Sequence, residues 1–284
     1  MTILALCSGK GSPGVTTLGC LMGAVWPASK RVVITECDPS GNDLATRFGL
    51  SPRMGMTTFV LDRRGDERKP DVLDAHLQDL PGGLEVMVGP VSMDAAQTLD
   101  HAIAAIDADL FPSDIDVIAD CGQLALGAVG QRRILATADH VVVVSRADAP
   151  ALVHARAAIS TVKRFRQLQG CLLVLIGKSP FDDREIEQVL GVELLADLPF
   201  DALGAAIASG TGGRARRFKR SSLVSRARHV VERLDIGRGD LGADDHAVTS
   251  TRGEMRWRHA RLRHALPRLG QPTSVAVHGG GRAT

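Results

Sequence analysis

The sequence predicts an α/β domain: a doubly wound, mostly parallel sheet with helices on both faces. Three observations carry this reading. Short apolar runs alternate with helix-like segments as far as Leu234. Several runs, "HVVVVS" and "CLLVLIG" among them, are nearly continuous hydrophobics, as in strands covered on both sides. A glycine-rich turn, "SGKGSPGVTT", follows the first run directly.

The predicted strands are Ile3–Cys7, Arg31–Glu36, Leu84–Val88, Asp116–Asp120, His140–Ser145, Cys171–Ile176 and Glu193–Leu198. The predicted helices between them are Thr16–Val25, Met93–Leu110, Ala149–Gln167, Asp183–Leu190 and Ala202–Ser209. Arg53–Leu80 is irregular and carries a charge cluster, so it reads as a surface excursion. Leu223, Val224, Ala227, Val230, Val231 and Leu234 recur at three- and four-residue steps and predict a final helix docked by one apolar stripe. From Gly237 onward glycine, charge and proline dominate, which predicts a disordered tail. The domains expected are therefore 1–236, binding nucleotide, and 237–284, a basic tail.

Charge is lopsided. The net charge is only +2, yet Gly210–Thr284 holds 16 Lys and Arg against 6 Asp and Glu, leaving 18 against 26 elsewhere. A basic C-terminal arm suits an anionic partner: nonspecific DNA or an anionic membrane surface. Within it, Gly253–Leu269 reads "GEMRWRHARLRHALPRL", with Trp257, Leu262, Leu266 and Leu269 between arginines, although Pro267 interrupts a helix there. The five cysteines form no C-x-x-C pair and read as small buried residues of a reducing compartment, not a zinc or disulfide framework. With no signal-like stretch and no long apolar run, the expected location is cytoplasmic, with peripheral membrane or nucleoid association through the arm.

The glycine turn admits two ligands. Gly9, Gly11 and Gly14 spell G-x-G-x-x-G, and Glu36 ends the second strand about where a dinucleotide fold places its ribose-binding acid. Pro13 and the paired threonines fit that motif poorly. The other reading is a loop whose backbone N–H groups wrap a phosphate at a helix N-terminus. Thr16 then stands where a hydroxyl holds magnesium, and Asp38 and Asp120 close two further strands. A loop, a hydroxyl and two carboxylates at separate strand ends are more specific than the glycines alone.

These stretches resemble the MinD/ParA ATPases. "KGSPGVTT" is similar to their deviant Walker A box, usually K-G-G-x-x-G-K-T-T; "ECDPSGN" resembles switch I, and "DVIADCG" resembles Walker B and switch II. The resemblance spans Met1 to Leu234 and implies a P-loop NTPase fold, ATP and Mg²⁺ as cofactors, and a homodimer when nucleotide-bound. It implies a nucleotide loop of Gly9, Lys10, Gly11, Ser12, Gly14, Val15, Thr16 and Thr17. Lys10 would reach the phosphates of the partner subunit. Asp38 would orient the attacking water, and Thr16, Asp38 and Asp120 would stand at the metal.

Val15 departs from that pattern, for it occupies the position of the second box lysine. Losing one charge-assisted bond costs roughly 1.5–3 kcal/mol, or about ten- to a hundredfold in affinity. Hydrolysis should suffer more, because that lysine acts on developing charge. The expectation is a weak or inactive ATPase, unless Lys10 folds back to replace the charge. Variants with degraded boxes resemble localisation proteins of Tad-type pilus or secretion systems, so the first reading is a positioning protein for such a machine, with a secretion or pilus ATPase or other cargo as partner. Two others stay open: a ParA-like DNA segregation ATPase and an NAD-binding Rossmann oxidoreductase.

Overall fold

The computed structural model describes residues 1–11, 13–65, 72–106, 109–165, 170–208, 210 and 221–234. All of these fall in one compact unit, Met1–Gly253; a second unit, Glu254–Thr284, lies outside the described residues, as does the rest of the basic arm from 235.

Eight strands form one sheet: β1 (Ile3–Ser8), β2 (Val32–Glu36), β3 (Gln78–Leu80), β4 (Leu84–Met87), β5 (Asp116–Gln123), β6 (His140–Arg146), β7 (Cys171–Ile176) and β8 (Glu193–Leu198). Their spatial order is β3-β4-β2-β5-β1-β6-β7-β8, and only β3 runs antiparallel to its neighbour. The helices are α1 (Val15–Ala24), α2 (Leu44–Phe48), α3 (Met56–Gly65), α4 (Met93–Ala104), α5 (Val129–Thr137), α6 (Ala149–Phe165), α7 (Asp183–Leu190), α8 (Ala202–Ala208) and α9 (Ser222–Arg233).

Strand alternation explains the continuous apolar runs. Val141 and Val143 of β6 join one core with α3 to α7, while Val142 and Val144 join the other with α1, α8 and α9. Ile3, Ala5 and Cys7 of β1 divide from Leu4 and Leu6 in the same way. The central strands therefore bury both sides, and the fold is a three-layer sandwich. The final helix docks as its stripe predicts: Leu223, Val224, Ala227, Val230, Val231 and Leu234 are all buried.

The surface excursion expected for Arg53–Leu80 is corrected. The segment contains α3, whose Met56, Phe59 and Val60 are fully buried, and the edge strand β3. Those three residues stand at i, i+3 and i+4, which is enough for one apolar face. α4 stops at Ala104 rather than Leu110, and α2 and α5 are additional helices.

Candidate functional site

The carboxyl ends of β1, β2 and β5 lie side by side. Leu6 of β1 and Glu36 of β2 both register with Asp120 of the strand between them. Beyond these ends opens a cleft of about 650 Å³, within the range of small-ligand sites.

The glycine turn forms one wall. Gly14 caps α1 in the left-handed conformation, at φ 108°, which a side chain would strain. Gly9 is packed so tightly that a Cβ there would lie 2.2 Å from the His154 carbonyl oxygen of α6. The first turn of α1 carries no acidic side chain, so its backbone dipole faces the cleft uncancelled. Thr16 and Thr17 line the cleft with Gly11, Gly14 and Val15. Val15 is also part of the apolar core beneath the turn.

Thr16 donates its hydroxyl hydrogen bond to the Asp120 carboxylate, which also accepts from the Gly122 N–H at 3.0 Å. Burial nevertheless pushes the Asp120 acid up to about 6. Asp38 stands across from it on the loop after β2. Its carboxylate accepts from the Ser40 N–H at 2.8 Å and from the Gln123 backbone, and burial raises its pKa as well. Asn42 closes this loop: its amide oxygen accepts from the Asp38 N–H at 3.2 Å and its amide nitrogen donates to the Pro90 carbonyl at 3.1 Å. Nearby like charge adds to the burial of Asp120, so two poorly solvated carboxylates face one cleft.

Hard oxygen donors of this kind suit Mg²⁺, which commonly takes one or two carboxylates and completes its shell with phosphate oxygens and water. Among the described residues, no group of three or more His, Cys, Asp or Glu side chains is arranged to hold a metal ion alone. The donor set therefore fits a metal carried in with a phosphate ligand, with Thr16, Asp38 and Asp120 as the protein's share.

Glu36 has a different task. One carboxylate oxygen accepts from the Asp43 and Leu44 N–H groups at 2.9 and 2.8 Å, and the other from Gly89 at 3.0 Å. It is 1% exposed, and burial lifts its pKa to about 7. Glu36 thus anchors the start of α2.

Solved structures share this architecture. MinD of Pyrococcus horikoshii OT3, complexed with Mg-ADP, aligns with a TM-score of 0.63 at 18% identity, covering 84% of this chain and 97% of that one. A ParA family ATPase from Chlorobium tepidum TLS aligns at 0.62 and 15% identity, over 81% and 98%. Apo McdA from Cyanthece aligns at 0.62 and 16%, over 82% and 99%. The fold is that of the MinD/ParA ATPases. No protein-family model and no curated protein matches the sequence, so the likeness is one of architecture.

The MinD/ParA fold argues against the dinucleotide alternative. A Rossmann sheet sets its second strand beside its first, whereas here β5 separates them, and the Glu36 carboxylate is taken up by three backbone donors. The fold also divides the predicted site residues. Gly11, Gly14, Val15, Thr16, Thr17, Asp38 and Asp120 line the one cleft. Ser12 lies outside the described residues. Lys10 is exposed and, with Gly9, lines a separate cleft of about 250 Å³ against Arg146 and His154. In this structure it does not fold back to replace the charge lacking at Val15.

Two residues in or beside the cleft carry no motif signal. Gln131 of α5, 1% exposed, donates to the Cys121 and Gln123 carbonyls at 2.6 and 2.9 Å and accepts from the Ala125 N–H at 2.9 Å, pinning the chain after Asp120. Arg47 of α2 lines the cleft and pairs with Asp43 at 2.8 Å. Its only local sign is the acidic residue four positions earlier.

Proposed function

We propose that the chain is a MinD/ParA-like, nucleotide-dependent positioning protein that binds ATP with Mg²⁺ and dimerises in that state. The observation that carries this reading is the Thr16–Asp120 hydrogen bond at the head of α1, with Asp38 facing it from the neighbouring loop. A bound Mg²⁺ would neutralise phosphate charge. The chain's own groups would do the rest: the glycine turn and α1 amides hold phosphate, Thr16, Asp38 and Asp120 orient the ion, and Asp38 aligns water. Lys10, exposed and clear of the cleft, is free to meet the nucleotide of a second subunit. Val15 supplies neither charge nor hydrogen bond, so hydrolysis is slow or absent. Residues 1–236 form the nucleotide domain and 237–284 the basic tail.

Isothermal titration with ATP–Mg²⁺ tests the reading. Micromolar or tighter binding with dimer formation on a sizing column is expected, and rapid multiple turnover would overturn the slow-ATPase assignment. The cargo we favour is a pilus or secretion machine, on the strength of the valine in the phosphate box; deletion should scatter the foci of such a machine. The arginine-rich 253–269 segment favours a second reading, DNA segregation. Salt-sensitive binding to random duplex DNA would support it, and vesicle binding lost on deleting 253–284 would support a membrane-based positioner instead.

A further inference from the structure

We infer that Arg47 is the phosphate-binding cation of this site, standing in for the lysine that Val15 replaces. The inference rests on the nucleotide reading above and assigns one residue within it.

Three observations carry it. First, among the described residues the cleft is short of positive charge. Glu36, Asp38, Asp43 and Asp120 line it, and among the described residues Arg47 is the one cationic side chain that does. A polyphosphate entering such a cleft meets net repulsion unless a cation offsets it. Second, Arg47 is held at the cleft by backbone that the core fixes. Glu36 ties down the Asp43 and Leu44 amides, and Leu44 and Ala45 are buried, so the backbone that carries Arg47 is fixed beside the cleft. Its charge is felt inside the site, for it acts on Asp120 in the direction that favours ionisation. Third, its present partner is easily exchanged. The Asp43 side chain is 63% exposed and that of Arg47 28%, and ion pairs so open to water are weak. A phosphate offers the guanidinium a bidentate acceptor with more charge. Arg47, paired here with Asp43, therefore transfers to phosphate when nucleotide enters.

Binding of a fluorescent ATP analogue in Mg²⁺ tests this, with inorganic tripolyphosphate as competitor. Arg47→Ala should weaken the analogue about ten- to a hundredfold, the scale of one lost charge-assisted bond. Arg47→Lys should fall between, having charge without the planar fork. Asp43→Ala should bind as well as wild type or more tightly, because it frees the arginine; a merely structural Asp43–Arg47 pair would make both alanine variants equally weak. Tripolyphosphate should displace the analogue from wild type and do so at least about tenfold less effectively from Arg47→Ala. Thermal unfolding without nucleotide verifies that each variant folds. Equal affinity of Arg47→Ala and wild type overturns the assignment and leaves the nucleotide site standing. No binding by wild type overturns the nucleotide reading and the assignment with it.

Discussion

Gly122 and Asp38 meet so closely that a Cβ on the glycine would lie 1.7 Å from a carboxylate oxygen of the aspartate. Gly122 also sits at φ 56°, in the left-handed region. Gly122→Ala therefore strains the backbone by about 1–2 kcal/mol and evicts Asp38 from its place. Denaturant unfolding should show a loss of about 2 kcal/mol, and calorimetry should show weaker ATP–Mg²⁺ binding. A stability loss with unchanged affinity would mean that the position of Asp38 is unimportant for the ligand.

Stability should fall as pH rises through the weakly acidic range. Glu36 titrates near 7 in the fold against an ordinary 4.5, and Asp120 near 6 against 3.8, both because burial disfavours the charged form. The folded chain thus holds protons that the unfolded chain has released. Their contribution is complete below about pH 4 and is lost as pH climbs to about 7, on the order of 1.4 kcal/mol for each pH unit an acid is held protonated. Urea unfolding of the nucleotide-free protein at pH 4.5, 6 and 7.5 checks the slope, and Glu36→Gln should flatten it.

Thr16→Val removes a hydroxyl while keeping the shape. Asp120 then loses a donor inside the protein, a cost of about 1–3 kcal/mol, and becomes still harder to ionise. Affinity for ATP–Mg²⁺ should drop, and Thr16→Ser should restore it. Equal Mg²⁺-dependence in Thr16→Val and wild type would remove Thr16 from the metal site.

Lys10→Ala should leave the unfolding midpoint unchanged, because the side chain is exposed and lies outside the main cleft. Nucleotide-dependent dimerisation should weaken. Light scattering with and without ATP–Mg²⁺ separates the two effects, and an undiminished dimer would rule out a role for Lys10 between subunits.

Val230→Ala tests the docking of α9. Its side chain is fully buried among α9, β8 and α1 neighbours, so losing two methyl groups should cost about 2 kcal/mol. The melting point should fall by about 4–8 °C. No change would mean that α9 docks without contributing to stability.

Much of the architecture was readable from residue patterns because strands like His140–Arg146 bury both faces and need no partner to be recognised. The elements left out share a physical cause. α2 and α5 take their N-terminal caps from other elements: Glu36 at the end of β2 binds the Asp43 and Leu44 amides, and Asp100 of α4 accepts from Gly130 and Gln131 at 3.1 and 2.6 Å. Asp43 stands at the N-cap of α2 but its side chain makes no cap bond, and α5 begins after Ala128, which has no capping side chain, so the tertiary fold supplies both caps. β3 is a three-residue edge with Gln78 and Asp79, too short and polar to show alternation. In the site, Thr16, Asp38 and Asp120 each mark a strand or helix end and were visible as such. Arg47 reaches the cleft and Gln131 the chain after Asp120 through tertiary packing, which no local spacing encodes.

The place of β5 between β1 and β2 has a consequence for biosynthesis. β1 and β2 leave the ribosome well before β5, yet they share no edge; β2 can pair with β4, but both must wait for β5 to join them. A nascent chain halted before Asp116 holds the phosphate turn on one strand and the Glu36 anchor on another, with nothing to align them. Ligand capture must wait for the middle strand to thread in. A truncated fragment of this protein would be expected to stick to its neighbours through the unpaired edges of β1 and β2 rather than to nucleotide.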